Sequence, residues 1–75
     1  MFISITIESN GIRRDVRIDN EQKIKECVNV LRQSRKLPMG NEPDYFRSRI
    51  NQTSVSAHKT FVEECVFDGD VLTLL

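Results

Sequence analysis

The chain begins with a strict alternation of apolar and polar residues. The apolar positions are Ile3, Ile5 and Ile7, and the intervening positions are Phe2, Ser4, Thr6 and Glu8. A period of two with β-branched residues on one side predicts a strand from Met1 to Glu8 that buries one face. Asn10-Gly11 follows this strand, and because both residues tolerate a positive φ angle, the pair predicts a tight hairpin turn.

A second strand is predicted from Ile12 to Ile18 as the return arm of the hairpin. Its inward positions are Ile12, Val16 and Ile18, and its outward positions are Arg13, Asp15 and Arg17. Arg14 interrupts the alternation. It indicates either a β-bulge or a long side chain that reaches solvent from an edge strand.

The apolar spacing then changes to that of a helix. The stripe consists of Ile24, Cys27, Val28 and Leu31. We expect this stripe to lie across the inner face of the hairpin. Either Asp19 or Asn20 is expected to cap the helix, because Asp19 and Gln22 stand at the spacing of a capping box. The helix is expected to end near Lys36, since Pro38 disfavours a helical backbone in the residue before it. Three basic residues fall in its last turns, where a positive charge suits the helix dipole, namely Arg32, Arg35 and Lys36.

The second half of the chain predicts a loop and three short strands. The loop is expected from Leu37 to Asp44, where proline and glycine interrupt any regular structure. The strands are expected at Tyr45 to Ile50, Thr53 to Ser56 and Val71 to Leu75. In the first of these strands Phe46 and Ile50 are expected to face inward. Its outward positions are Tyr45, Arg47 and Arg49.

The connections between these strands have their own signals. Asn51-Gln52 is expected to be a turn, and Thr60 to Glu64 a helical turn that carries Phe61. Asp68-Gly69-Asp70 is explained by turn chemistry, since the acidic residues here lack the spacing of a calcium-binding loop. In the last strand, Leu72 and Leu74 are expected to be buried. No metal site is predicted.

Length and charge narrow the functional classes. Seventy-five residues make one small domain, 1–75, and the eleven basic and eleven acidic side chains cancel. There is no net charge to attract nucleic acid or an anionic membrane, so neither is expected as a partner. No apolar run approaches the ~20 residues that cross a bilayer, and Met1 leads directly into a strand pattern instead of a signal peptide. We therefore expect a cytoplasmic protein without direct membrane insertion.

The residues that could support catalysis are few. His58 is the only histidine, and a Cys–His pair would need it within hydrogen-bond reach of Cys27 or Cys65. Cys27 lies on the core stripe and is therefore a poor nucleophile. The pKa of Cys65 would be raised by its acidic neighbours Glu63, Glu64 and Asp68. Both cysteines are expected to be reduced thiols. No enzymatic activity and no cofactor are predicted.

The order of elements resembles the ubiquitin-like β-grasp superfamily over the whole chain. Ile24, Cys27 and Leu31 resemble the core positions of its helix. Phe61-x4-Val66, followed by Gly69-Asp70-x-Leu72-x-Leu74, resembles its closing segment. The resemblance implies an α+β fold in which a mixed sheet, of strand order 2-1-5-3-4, carries one main helix across it.

Within that superfamily the chain resembles the YukD-like proteins, which are small bacterial proteins associated with type VII (WXG-protein) secretion systems. The likeness lies in Met1 at the start of a strand and in the closing run from Phe61 to Leu75. It implies a cytosolic accessory component with a protein partner in the secretion machinery. Conjugated members carry a Gly-Gly tail after the last strand. Here Leu74-Leu75 stands at that point, and conjugation or sulfur transfer is not expected.

Two alternatives to this interpretation stay open. The sequence could be the ubiquitin-like domain of a larger protein, for example a membrane-anchored one, or a ubiquitin-type modifier that lacks its Gly-Gly tail. The oligomeric state does not follow from the residues.

The candidate binding surface is the outer face of the predicted sheet. Its residues are Phe2, Arg13, Arg17, Tyr45, Arg47 and Arg49, with Leu75 at the margin. Arginine and aromatic side chains are enriched in protein interfaces, and in ubiquitin-like domains this face is commonly the recognition surface. An acidic or amphipathic partner would be complementary. The alternatives are a solvated face that discourages edge pairing, or a nucleic-acid surface, which the neutral charge and Asp15 argue against.

Overall fold

The computed structural model describes residues 1–75 and contains five strands and one helix. In chain order they are β1 (Phe2–Ser9), β2 (Ile12–Asp19), α1 (Ile24–Gln33), β3 (Tyr45–Ser48), β4 (Thr53–Ser56) and β5 (Val71–Leu74). All five strands belong to one sheet of order β2-β1-β5-β3-β4. The β1–β5 pair is parallel and the others are antiparallel. The α+β class and the strand order implied by the resemblance are confirmed.

The amino-terminal hairpin forms as the alternation predicts. Asn10 and Gly11 have φ angles of 51° and 80°, so the turn uses the left-handed region at both positions. The β1–β2 pairing is continuous from one end to the other, without a bulge at Arg14. The Arg14 Nε instead donates to the carbonyl oxygen of Lys36 at 2.6 Å. Of the two interpretations of this residue, the side chain reaching out from an edge strand is the one observed.

The core lies between the helix and the inner face of the sheet. Its sheet side includes Ile3, Ile5, Ile7, Phe46 and Leu72, and its helix side is the predicted stripe of Ile24, Cys27, Val28 and Leu31. Leu74 packs against this core while remaining partly exposed. Ile12 was expected to face inward with Val16 and Ile18, but it is exposed. It lies beside the hairpin turn on an edge strand, where neighbours pack from one side only.

The helix begins later than the sequence predicts. Lys23 occupies the capping position and makes no side-chain cap. The free amide groups of the first turn are satisfied by tertiary contacts, since Ile24 N–H donates to the Lys59 carbonyl at 3.0 Å and Lys25 N–H to the Ala57 carbonyl at 2.8 Å. The predicted cap at Asp19 or Asn20 and the capping box with Gln22 are therefore wrong.

Asp19 has a different local role. Its carboxylate accepts from the Glu21 N–H at 3.1 Å and contacts the amino-terminal ammonium at 3.3 Å. These hydrogen bonds, the Glu21 backbone bond first, lower the pKa of the Asp19 carboxyl. The residue stabilises the turn before the helix instead of the helix itself.

The helix also ends earlier than expected, at Gln33 instead of Lys36, so it has 10 residues. Arg35 has a φ angle of 60°. Its N–H donates to the Arg32 carbonyl at 3.0 Å, and Lys36 N–H donates to the Leu31 carbonyl at 2.8 Å. These two bonds form a Schellman motif with arginine at the position where glycine is usual.

Strand β3 stops at Ser48, and this corrects the expectation for Ile50. The chain turns at residues 49–52, so Ile50 is exposed to 50% instead of facing the core. The inward position at the end of β3 is Ser48, which is fully buried. The Ile50 N–H donates to the Asp70 Oδ1 at 3.0 Å, which fixes the turn.

Asp70 is a buried carboxylate that joins the β3–β4 turn to the start of β5. It accepts from the Ser48 hydroxyl, from Ile50 N–H and, at 2.7 Å, from Val71 N–H. Burial of a charged group without such partners would cost several kcal/mol. Asp70 therefore joins the end of β3 and the turn after it to the start of β5. The sequence analysis assigns it only a role in the Asp68-Gly69-Asp70 turn.

The helical turn before β5 is confirmed, and it carries the fully buried Phe61. Thr60 and Glu63 form a capping box there: the Thr60 hydroxyl accepts from Glu63 N–H at 3.1 Å, and the Glu63 carboxylate accepts from Thr60 N–H at 2.9 Å. The hydrogen bond from the Thr60 backbone is the main cause of a lowered Glu63 pKa. No helix of the structure combines the length and apolarity needed to cross a membrane.

Candidate protein-binding surface

The outer face of the sheet carries a row of alternating charge along β2. Its members are Arg13, Asp15, Arg17 and Asp19, and their partners on β1 are Glu8, Thr6, Ser4 and Phe2. The alternation places both signs next to each other at the spacing of two strand residues. This part of the face is mixed in charge.

Two of these arginines are held by neighbours on β1. Arg13 Nε lies 2.9 Å from Glu8 Oε2. Arg17 lies over the ring of Phe2, 5.9 Å from its centroid, and its Nη1 is 3.4 Å from the Ser4 hydroxyl. A cation over an aromatic face is weakly attractive at an exposed site. Both side chains therefore have intramolecular contacts in the free protein.

Arg47 and Arg49 differ from that pair. Arg47 projects outward from β3, opposite Thr73 of β5 and Ser54 of β4. The Arg49 N–H donates to the Val71 carbonyl at 3.0 Å, which continues the β3–β5 ladder by one step. Both residues are exposed, and the ion pairs of the structure include neither of them. Their charges are not neutralised within the chain.

A cleft of about 430 Å³ brings three of the predicted arginines together. We call it the arginine cleft, and its walls are Glu8, Arg13, Arg47, Arg49, Val71 and Thr73. Four strands and a turn contribute to it, so these side chains meet only because β5 lies between β1 and β3. Glu8 is the one carboxylate in the wall, and it is engaged by Arg13 and by the Thr73 hydroxyl at 3.3 Å. The cleft therefore carries excess positive charge.

The other predicted residues lie elsewhere on the molecule. Phe2 and Arg17 stack at the start of β1, whereas Tyr45 and Leu75 line a larger cavity of about 750 Å³ at the hairpin end. Phe2, Tyr45 and Leu75 are exposed. The seven residues thus occupy three separate places, and the arginine cleft is the one that brings three of them together.

Arg32 makes contacts that the sequence analysis does not predict, since that analysis gives it only a favourable interaction with the helix dipole. It is buried, with 6% of its surface exposed. Its Nη1 donates to the Asn41 carbonyl at 2.8 Å and lies 3.4 Å from the Gly40 carbonyl, while its Nε makes no hydrogen bond. The side chain holds the 39–44 loop against the helix. Position 32 lies beside Leu31 on the helix. The residue pattern alone, however, does not distinguish a buried arginine that binds a loop from an arginine exposed to solvent.

The groups that could support nucleophilic chemistry lie in separate settings. His58 Nε2 is 2.9 Å from Asp44 Oδ1. Burial raises the pKa of the Cys27 thiol to about 11. Cys65 is exposed at a position with a φ angle of 57°. The histidine therefore has a carboxylate partner, and the thiol on the core stripe is disfavoured as a thiolate.

No protein-family model and no curated protein matches the chain. Among solved structures, the chain is similar to the EccD5 ubiquitin-like domain from Mycobacterium xenopi. The match covers 100% of this chain and 93% of that chain, with a TM-score of 0.58 and 21% sequence identity. Similarity at this level shows the fold: the protein has a ubiquitin-like β-grasp fold.

Proposed function

We propose that this protein is a bacterial, cytoplasmic, non-conjugating interaction module that serves a type VII secretion system. It docks a protein partner through the outer face of its sheet, centred on the arginine cleft. The observation that carries the proposal is the convergence of Arg13, Arg47 and Arg49, two of which have no ion-pair partner in the chain. We include in this proposal the resemblance of the chain to the YukD-like proteins.

The structural neighbour supports the link to secretion. EccD5 is a component of a type VII secretion system, and the similar part is its ubiquitin-like domain. A shared fold does not by itself transfer a function. The support comes from the agreement between this neighbour and the secretion link that the closing run Phe61 to Leu75 implies.

Binding, and not catalysis, is the activity we propose. A thiol nucleophile needs a base within about 3 Å, and the hydrogen-bond partner of His58 is the Asp44 carboxylate. The raised pKa of Cys27 further supports an unreactive thiol. Substrate turnover by the purified protein, or a Cys65 thiol that reacts with a thiol reagent at neutral pH much faster than an ordinary exposed cysteine, would contradict this part of the proposal.

The docking surface is tested by co-purification from cells that express the secretion system. A tagged Arg47→Glu/Arg49→Glu variant should lose the secretion component that the unaltered protein captures. The matched control is Arg35→Glu, which reverses an exposed charge beyond the end of the helix. If the double variant captures the component as well as the unaltered protein does, this face is not the docking surface.

A second candidate is the role of a ubiquitin-like domain within a larger secretion component. It is favoured by one observation, namely that the similar structure is itself described as a domain. The two candidates share the binding face and differ in the size of the native polypeptide. An immunoblot of native cells separates them, because a band near 8.7 kDa supports the accessory protein and a much larger band supports the domain.

A further inference from the structure

We propose that the arginine cleft recognises an acidic protein segment, in which two carboxylates are spaced to reach Arg47 and Arg49 together. This inference rests on the proposed function and names the chemistry of the partner at the same surface. It is carried by the charges, spacing and lining of the cleft.

The charges of the cleft are unbalanced in a specific way. Three guanidinium groups face one carboxylate, and that carboxylate, Glu8, already accepts from Arg13 and lies near the Thr73 hydroxyl. Arg13 is thereby held in place, while Arg47 and Arg49 keep the N–H donors of their guanidinium groups available. Guanidinium groups bind carboxylates through paired, charge-assisted hydrogen bonds. Each of the two free arginines can donate a pair of hydrogen bonds to one carboxylate in this way.

The spacing of the two arginines sets the spacing of the ligands. Arg47 points outward from β3, and Arg49 is the first residue of the following turn, where its backbone N–H still extends the β3–β5 ladder by donating to the Val71 carbonyl. Residues two apart along a strand are separated by about 7 Å. Acidic residues at alternate positions of an extended segment have that same separation. A sequence such as Glu-x-Glu therefore matches the cleft.

The remaining lining favours a carboxylate on an aliphatic stem. Val71 is partly buried and is the one apolar residue in the wall of the cleft. The methylene groups of a glutamate side chain can pack on this valine while its carboxylate reaches a guanidinium. A phosphate group offers no such apolar portion.

The rest of the outer face disfavours a polyanion such as a nucleic acid. Asp15 and Asp19 alternate with the arginines of β2, and Asp15 accepts from the Thr6 hydroxyl at 2.6 Å. A phosphate backbone that ran across the sheet would meet these carboxylates. The chain also has no net charge, whereas dedicated nucleic-acid binders carry a basic surface. A short acidic segment avoids the repulsion because it needs the cleft alone.

The test is fluorescence anisotropy with labelled peptides of one length, using the full chain at low ionic strength. One peptide carries Glu-x-Glu repeats, a second carries glutamine at the same positions, and the third probe is a single-stranded oligonucleotide. We expect the glutamate peptide to bind at least about tenfold more tightly than the glutamine peptide, as charge-assisted pairing requires. Raising the salt concentration should weaken this preference, because the arginines are exposed.

Three variants assign the preference to the cleft. Arg47→Gln/Arg49→Gln should abolish it, whereas Arg47→Lys/Arg49→Lys should retain part of it, since lysine keeps the charge and loses the paired donors. Arg35→Gln removes one exposed charge beyond the helix end and should leave the preference unchanged. Circular dichroism of each variant checks that the fold is retained.

Several results would overturn the inference. They are the absence of any peptide binding, equal binding of the glutamate and glutamine peptides, tighter binding of the oligonucleotide, and a carboxylate preference that survives in the double glutamine variant. The proposed function fails separately. If the glutamate preference holds but no secretion component co-purifies from cells, the cleft chemistry stands and the secretion role is lost.

Discussion

Arg32 and Arg47 carry the same side chain in opposite settings. Arg32 is buried beneath the 39–44 loop, where its guanidinium donates to backbone carbonyl groups. Arg47 lies in an open cleft and has no ion-pair partner. The first donates to the protein itself, and the second has its donors available to another molecule. The comparison separates an arginine whose donors are used within the chain from one whose donors face solvent, and only the second kind is available to a partner.

The same contrast separates the acidic residues. Asp70 is buried and accepts three hydrogen bonds from the chain. Asp15, on the outer face, is exposed and accepts from a single threonine hydroxyl. We therefore expect substitutions of the buried group to change the free energy of unfolding and substitutions on the outer face to change binding.

The largest expected effect is at Asp70. Asp70→Ala leaves the Ser48 hydroxyl and two backbone N–H groups without an acceptor, and it should lower the free energy of unfolding by about 3 kcal/mol. Asp70→Asn keeps an oxygen acceptor and should cost less. Urea unfolding followed by circular dichroism measures both. Equal, small losses in the two variants would show that the buried carboxylate is not structurally important.

Arg32 is expected to have the next largest effect. Arg32→Ala removes the donors to the 39–44 loop and should lower the free energy of unfolding by about 2 kcal/mol. Arg32→Lys, the matched control, keeps the charge but loses the planar guanidinium whose Nη1 contacts both carbonyl groups, and it should cost less than Arg32→Ala. If Arg32→Ala unfolds at the same urea concentration as the unaltered protein, the loop does not depend on this clamp.

Cys27 predicts a pH-dependent effect of intermediate size. Burial raises the pKa of its thiol to about 11 in the folded state. The contribution of the protonated thiol to the free energy of unfolding is therefore complete below the lower pKa of the unfolded state. It is lost as the pH rises from that pKa to the pKa of the folded state. At about pH 10 the loss should be about 1 kcal/mol. Cys27→Ala should show a smaller alkaline loss than Cys65→Ala, in which Cys27 is intact. Parallel pH profiles for the two variants would contradict the prediction.

The smallest expected effect on stability is at the cleft. Arg47→Gln should change the free energy of unfolding by less than about 0.5 kcal/mol, because an exposed side chain without partners contributes little. Chemical unfolding of this variant beside Arg32→Ala compares the two arginines directly. A loss at Arg47 as large as that at Arg32 would remove the distinction between them.

The fold followed from local patterns wherever these agreed with tertiary packing. The isoleucines of β1 and the Asn10-Gly11 turn specify the hairpin, and the stripe from Ile24 to Leu31 specifies the buried face of the helix. The two ends of the helix did not follow, the first because it depends on distant groups and the second because its local motif lacks the usual residue. The first amide groups donate to carbonyls near Ala57, and the helix ends in a Schellman motif at Arg35 without the usual glycine.

The site followed only in part, for a related reason. Alternation placed Arg13 and Arg47 on the outer face, but their meeting in one cleft depends on β5 lying between their strands. Ile50 was expected in the core because it continues the alternation of β3. The turn held by Asp70 ends that strand two residues earlier. Contacts between residues far apart in sequence cannot be obtained from periodicity alone.

The most direct test of the central claim measures stability and binding on one variant. Arg47→Gln/Arg49→Gln should unfold at the same urea concentration as the unaltered protein and should lose its preference for the glutamate peptide. A variant that keeps the preference, or that loses it only because the fold is lost, would contradict the assignment of recognition to the unpaired arginines of the cleft.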